Sequence, residues 1–155
     1  MIISLKGQLE DWKQTRSITL EFLSELNDSD LDKKLPRKKL NTIRQQIEEM
    51  AIIQSSFVDA IITKVLNFED TSLADTSKNG LTQKFTQLDK KLEESLETCT
   101  GNEIIDWYGE EKNIHTHVST MIGHEQMHIG QIIAFCYATG IHIPDVLTEE
   151  MALEG

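Results

Sequence analysis

Apolar residues recur every three or four positions along most of this chain, the period of an amphipathic helix. Leu5, Leu9, Trp12, Ile18, Leu20, Phe22 and Leu23 predict a helix over residues 4–26. It stops at Asn27-Asp28-Ser29-Asp30, whose side chains favour caps and turns. A short turn, SDLDKKLP, follows and closes at Pro36. Leu40, Ile43, Ile47, Met50, Gln54, Phe57 and Ile61 predict a second helix over residues 40–66, with Asn41 or Thr42 as its N-cap. Residues 69–79 are polar and predict a loop. Leu81, Phe85, Leu88, Leu92 and Leu96 mark a third helix over residues 81–96. CTGNEIIDWYGEE is a connection with room for a short turn. The fourth helix covers residues 113–139, with Gly140 placed for a left-handed C′ position and Pro144 blocking continuation. Strand signals are scarce: Asn-Gly occurs once, at Asn79-Gly80, without flanking alternation. Four such segments predict an all-α fold, a four-helix bundle. The loop between the second and third helices is long enough for a crossover, so the topology stays open.

Composition narrows the class. The 155 residues suit one domain spanning 1–155. Apolar residues make up 39 % and charged residues 26 %, ordinary values for a soluble globular chain. The net charge of −11 disfavours nucleic acid as a partner, because Lys and Arg must neutralise phosphates. The basic run KKLPRKK, residues 33–39, is a local exception and reads as a solvated helix start. No apolar stretch is long enough for a membrane span, and the first residues lack the apolar core of a signal peptide. Cys99 and Cys136 are too few for a disulfide framework, which suits a cytoplasmic location, and Cys136 reads as a buried, inert thiol.

The chemistry concentrates in GHEQMHIGQ, residues 123–131. His124 and His128 stand at i and i+4, which places both imidazoles on one helix face, about 6 Å apart at Cβ. One metal ion can bridge them. Met121 and Ile132 extend the same stripe, so the pair points inward. His117 lies a heptad earlier, about 10 Å along the axis and too far to share that ion. His115 and His142 read as surface or loop histidines. His124-Glu125-Gln126-Met127-His128 also satisfies the H-E-x-x-H pattern of zinc proteases. That reading is the weakest. Gln131 and Ala134 stand where the extended motif needs Gly and His, and Glu149, the conceivable downstream ligand, falls in a short tail after Pro144 with no room for a presenting helix.

GHEQMHIGQI resembles the last-helix motif of the DinB/YfiT-like superfamily of metal-binding four-helix bundles. His124, His128, Gly130 and Gln131 all fall in place. NTIRQQIEEMAIIQSSFVDAI, residues 41–61, is similar to that family's second helix, and the ELNDSDLDKKLP turn and WYGEE segment look alike as well. In many members the second helix supplies a third metal-binding histidine, and the alignment places Glu49 there. A carboxylate binds zinc at about 2.0–2.2 Å, and a His₂Glu set also suits Ni²⁺, Mn²⁺ or Fe²⁺. The alternative is a solvent-facing glutamate, and a shift of register would bring Glu48 or Gln45 to the site instead. Glu125 reads as a surface charge rather than as a partner of the centre, and Gln131 is placed to pack or hydrogen-bond near it.

The resemblance implies a metal-dependent enzyme, such as a transferase using a low-molecular-weight thiol whose pKa the metal lowers, or a hydrolase. A divalent metal, zinc foremost, a small-molecule substrate or thiol, and a homodimer are the implied cofactor and partners. A different class stays open: a non-catalytic dimeric binding or stress-response bundle whose metal site is degraded or structural.

Overall fold

The computed structural model describes residues 2–68 and 72–153; residues 69–71 of the predicted loop lie outside the described residues. Four long helices form the bundle: α1 (Ile3–Glu25), α3 (Ile43–Thr63), α4 (Lys78–Glu97) and α5 (Ile114–Thr139). A single turn, α2 (Asp28–Leu31), follows α1, and a short α6 (Asp145–Glu150) follows α5. The caps are those the local sequence supplies. Asn27, Thr42, Ser77 and Asn113 each accept a hydrogen bond from the backbone N–H three residues on, opening α2, α3, α4 and α5. Gly140 closes α5 at φ +68°.

The topology left open by the sequence is fixed by contacts between helices. Gln8 on α1 meets His115 and Ser119 near the start of α5, so α1 and α5 run parallel. Arg44 opens α3 beside Thr76 just before α4, and Asp59 near the α3 end pairs with Lys91 late in α4, so α3 and α4 also run parallel. Lys13 pairs with Glu93, while Lys78 caps the carbonyls of Ser24 and Leu26, which makes α1 and α4 antiparallel. The order is therefore up-down-down-up. α1 packs laterally on α4 and α5, as does α3, and the consecutive pairs α1/α3 and α4/α5 lie on the diagonals.

Three departures from the sequence reading concern connections. The CTGNEIIDWYGEE segment is a β-hairpin, β1 (Ile104–Trp107) paired antiparallel with β2 (Glu110–Asn113). Its turn residues Tyr108 and Gly109 both take positive φ, 54° and 91°, the handedness that matches strand twist. Asp106 ties the hairpin to the end of α3 through backbone bonds with Lys64 and Leu66. The basic run 33–39 is an irregular solvated loop, not a helix start. Pro144 ends the α5 direction but caps α6, because proline is tolerated where no helical N–H is needed.

The core has two apolar halves. One gathers Phe22, Ile47, Phe85, Ile132 and Phe135; the other gathers Trp12, Phe57, Leu92, Val118 and Met121. Between them lies a polar layer to which each long helix contributes. Arg16 is 3 % exposed; its Nη2 donates to Gln54 (2.7 Å), its Nη1 meets Glu125 (2.8 Å) and its Nε approaches Asp89 (3.4 Å). The approaches to Glu125 and Asp89 are ionic contacts off the hydrogen-bond line. Trp12 and Gln54 both donate to Asp89, and the guanidinium lies 3.7 Å from the Phe85 ring centroid.

Candidate metal centre

Glu49 on α3 and His124 and His128 on α5 come together where these two antiparallel helices pack. One donor atom from each lies within 4.8 Å of the others. His128 falls on the buried stripe with Met121 and Ile132, whereas His124 stands at the rim, its side chain 21 % exposed. Their rings meet edge to face, centroids 4.7 Å apart. Glu49 is half-buried at the edge of the α3 stripe and reaches across, its Oε2 2.5 Å from Nε2 of His128 and 3.9 Å from Nε2 of His124.

These distances test the fit of an ion. Oε2 of Glu49 and Nε2 of His128 are buried and, despite their closeness, not aligned as a hydrogen bond; neither has another protein partner among the described residues. Two lone-pair atoms this close require a proton or a cation between them. A tetrahedral ion with bonds near 2.0–2.1 Å sets its ligands about 3.3 Å apart, a value the two observed distances bracket. The protonation states fit as well. Burial pushes the His124 pKa down, as does neighbouring His128, against the opposing pull of Glu49. The contact with His128 holds the Glu49 carboxyl below its ordinary range against desolvation, with His124 and Arg37 adding to the pull. A neutral imidazole and an ionised carboxylate are the forms a divalent cation needs. The site thus has the donors for a metal ion.

The neighbours named by the sequence fall elsewhere. Gln45, one of the register alternatives, accepts from the Asn41 N–H and caps α3. Glu48 lines an adjoining cavity of about 400 Å³, together with Glu49, Lys38, Lys39, Leu40 and Ile52. Gln131 accepts from Arg37 at 3.4 Å at the rim of the site. His117 is buried and occupied: Trp107 Nε1–H donates to its Nδ1 (3.0 Å), leaving Nε2–H to donate to the Phe57 carbonyl (2.8 Å). Burial lowers its pKa, in keeping with that neutral form. His115 meets Gln8, and His142 is exposed beside Asp145. Cys136 is buried, its thiol pushed up to about 11.

Glu125 is the clearest correction. It is not a surface charge but 1 % exposed, with Oε1 accepting from the Thr19 hydroxyl (2.6 Å) and paired with Arg16. Burial raises its pKa, while Arg16 and Thr19 pull against that rise. Its carboxylate is committed to the polar layer, which removes the general-base role an H-E-x-x-H protease needs. The signal was in the sequence: Val118, Met121, Glu125, His128 and Ile132 form one stripe, and Leu9, Trp12, Arg16 and Leu23 another. Opposite charges on two inward stripes point to a buried pair.

Comparison with known proteins agrees with this architecture. A profile of the DinB superfamily matches residues 11–132, which takes in α1 from Asp11 onward, α3, α4 and α5 as far as Ile132. No curated protein is significantly similar to the chain.

Proposed function

The chain belongs to the DinB superfamily, and we propose that it is a metal-dependent enzyme in which His124, His128 and Glu49 hold one divalent ion. Members of this superfamily bind divalent metal. Zinc is the first choice for a His₂Glu set, with nickel, manganese and iron as alternatives. The observation behind the reading is the convergence of three donor atoms, two of them buried and otherwise unpartnered, beside a cavity.

A bound ion of this kind supplies Lewis acidity, lowering the pKa of a coordinated thiol or water. The residues around it do the rest. Glu49 brings the negative charge that lowers the net charge of the centre to about +1. His128, held by the core, fixes one direction of approach, and half-exposed Glu49 and rim-placed His124 leave an accessible side. The reaction this supports is transfer to or from a low-molecular-weight thiol, with metal-assisted hydrolysis as the second choice. Residues 1–155 act as one DinB-like bundle domain in this reading, working in the cytoplasm as a homodimer.

The test is metal content of protein purified without a chelating tag, alongside Glu49→Ala, His124→Ala and His128→Ala. Stoichiometric metal in the parent and loss in both histidine variants is the expected outcome. Retention in both would sink the site, and retention in Glu49→Ala alone would remove the carboxylate from it. Metal-dependent turnover with a panel of thiols and electrophilic acceptors then separates an enzyme from a binding or stress-response bundle, which would load metal and turn over none.

A further inference from the structure

Resting on the metal reading above, we infer that the loop before α3 is an anion clamp: Arg37, Lys38 and Lys39 bind the carboxylate of a small molecule whose reacting group lies at the Glu49–His124–His128 centre. The cavity that Lys38 and Lys39 line also has Glu49 in its wall, so a molecule seated there reaches the edge of the centre. Arg37 stands at the rim of the centre, its Nη1 3.4 Å from Oε1 of Gln131. Volume sets the scale: about 400 Å³ takes a small molecule, with Leu40 and Ile52 against its apolar part.

Charge sets the class. In a chain of net charge −11, Lys38 and Lys39 line this cavity opposite Glu48 and Glu49, and Arg37 precedes them in the chain; all three cations are exposed, and none pairs with a carboxylate among the described residues. Several other cations are spent, Arg44 on Asp28 and Asp32, Lys13 on Glu93 and Lys33 on the Thr139 carbonyl, whereas Lys6, Lys34 and Lys84, which line no part of this cavity, carry no such pairing among the described residues. Glu48 in the same wall opposes a second negative charge, which favours a monoanionic carboxylate over a dianionic phosphate.

The loop is also built rather than loose. Leu35 N–H donates to the Asn41 carbonyl (2.9 Å), Asn41 N–H to Gln45, and Thr42 caps α3. Leu40, between cations and helix, takes φ +50°, a left-handed conformation that is strained for a leucine and persists only where its surroundings impose it.

The test uses Co²⁺-loaded full-length protein, whose visible spectrum reports thiolate ligation. It is titrated with 3-mercaptopropionate, its neutral methyl ester and 2-mercaptoethyl phosphate. The acid is expected to bind about tenfold tighter than the ester, the size two or three exposed charge pairs supply. That preference should shrink with added salt and fall several-fold in Arg37→Ala and in Lys38→Ala/Lys39→Ala, while cobalt stoichiometry and ester affinity hold. Equal binding of acid and ester overturns the inference. So does an acid preference that survives in both variants, which would be chelation by the metal alone, or tighter binding of the phosphate. Failure to load cobalt would overturn the metal reading itself and this inference with it.

Discussion

Arg16 and Glu125 illustrate what one buried contact does to stability. Each charge is offset by the other, Arg16 further by Gln54 of α3 and the Asp89 carboxylate of α4, and Glu125 by the Thr19 hydroxyl of α1. Removing Arg16 leaves Glu125 buried with only the Thr19 hydroxyl to offset its charge, and breaking a buried pair in this way costs about 3–5 kcal/mol, whereas replacing both with apolar residues is near neutral. Arg16→Met should therefore lower the urea unfolding free energy by roughly that amount, and Arg16→Met/Glu125→Leu should recover most of it; a loss below about 1 kcal/mol in the single variant would mean the pair is solvated. Glu103 offers a contrast in pH. Despite desolvation, which pushes it up, its carboxylate accepts from the N–H groups of Thr100 and Gly101 and the Thr100 hydroxyl, and its pKa falls from 4.5 to about 2. A folded pKa below the unfolded one gives stability that is fully present above 4.5 and lost as pH falls toward 2. Glu103→Gln should flatten that part of the acid-unfolding profile; an unchanged slope would remove Glu103 from the account. At this scale the sequence was partly legible. That His124, His128 and Glu49 converge could be anticipated because the i, i+4 spacing and the family pattern are local. Glu125 was misplaced because its partner is on another helix, and only comparing two stripes reveals the pair.

The helices themselves were the most legible feature, because a 3.6-residue period repeated over about five to seven turns outweighs local noise. Thr42 and Gly140 mark their ends as capping chemistry predicts. The hairpin escaped because its strands are four residues each and lack alternation, and its turn is Tyr-Gly rather than Asn-Gly. The short α6 escaped because a proline is a weaker barrier at a helix start than in its interior. Helix chemistry also predicts how α5 responds to substitution. Gly123 is exposed and a Cβ there would meet nothing within 4 Å, so Gly123→Ala should raise stability by about 0.5–1 kcal/mol. Thr42→Ala should lower it by about 1 kcal/mol through loss of the Gln45 N–H cap. Both are read from denaturant midpoints at constant slope, and the opposite sign in either would show that α5 or the α3 entry is held by something else.

For the whole molecule, the proposed ion joins α3 to α5, and it binds the folded state preferentially because the unfolded chain does not assemble the three donors. Divalent metal at about a hundredfold over its dissociation constant should add about 2.7 kcal/mol, seen as a rise in the melting temperature that a chelator reverses. Glu49→Ala should abolish that rise, and a melting temperature indifferent to metal would count against the centre. The up-down-down-up order bears on something else, the order of assembly. Since α1 and α3 face each other across the diagonal, a growing chain that has emitted only these two helices has no lateral interface to close. α4 is the first segment that gives both of them a neighbour, and α5 is the first that gives Glu49 its histidines. Synthesis thus keeps two apolar helix faces waiting until more than half of these 155 residues have been made, a window in which chaperones would find their client and in which no ion has its three donors to bind.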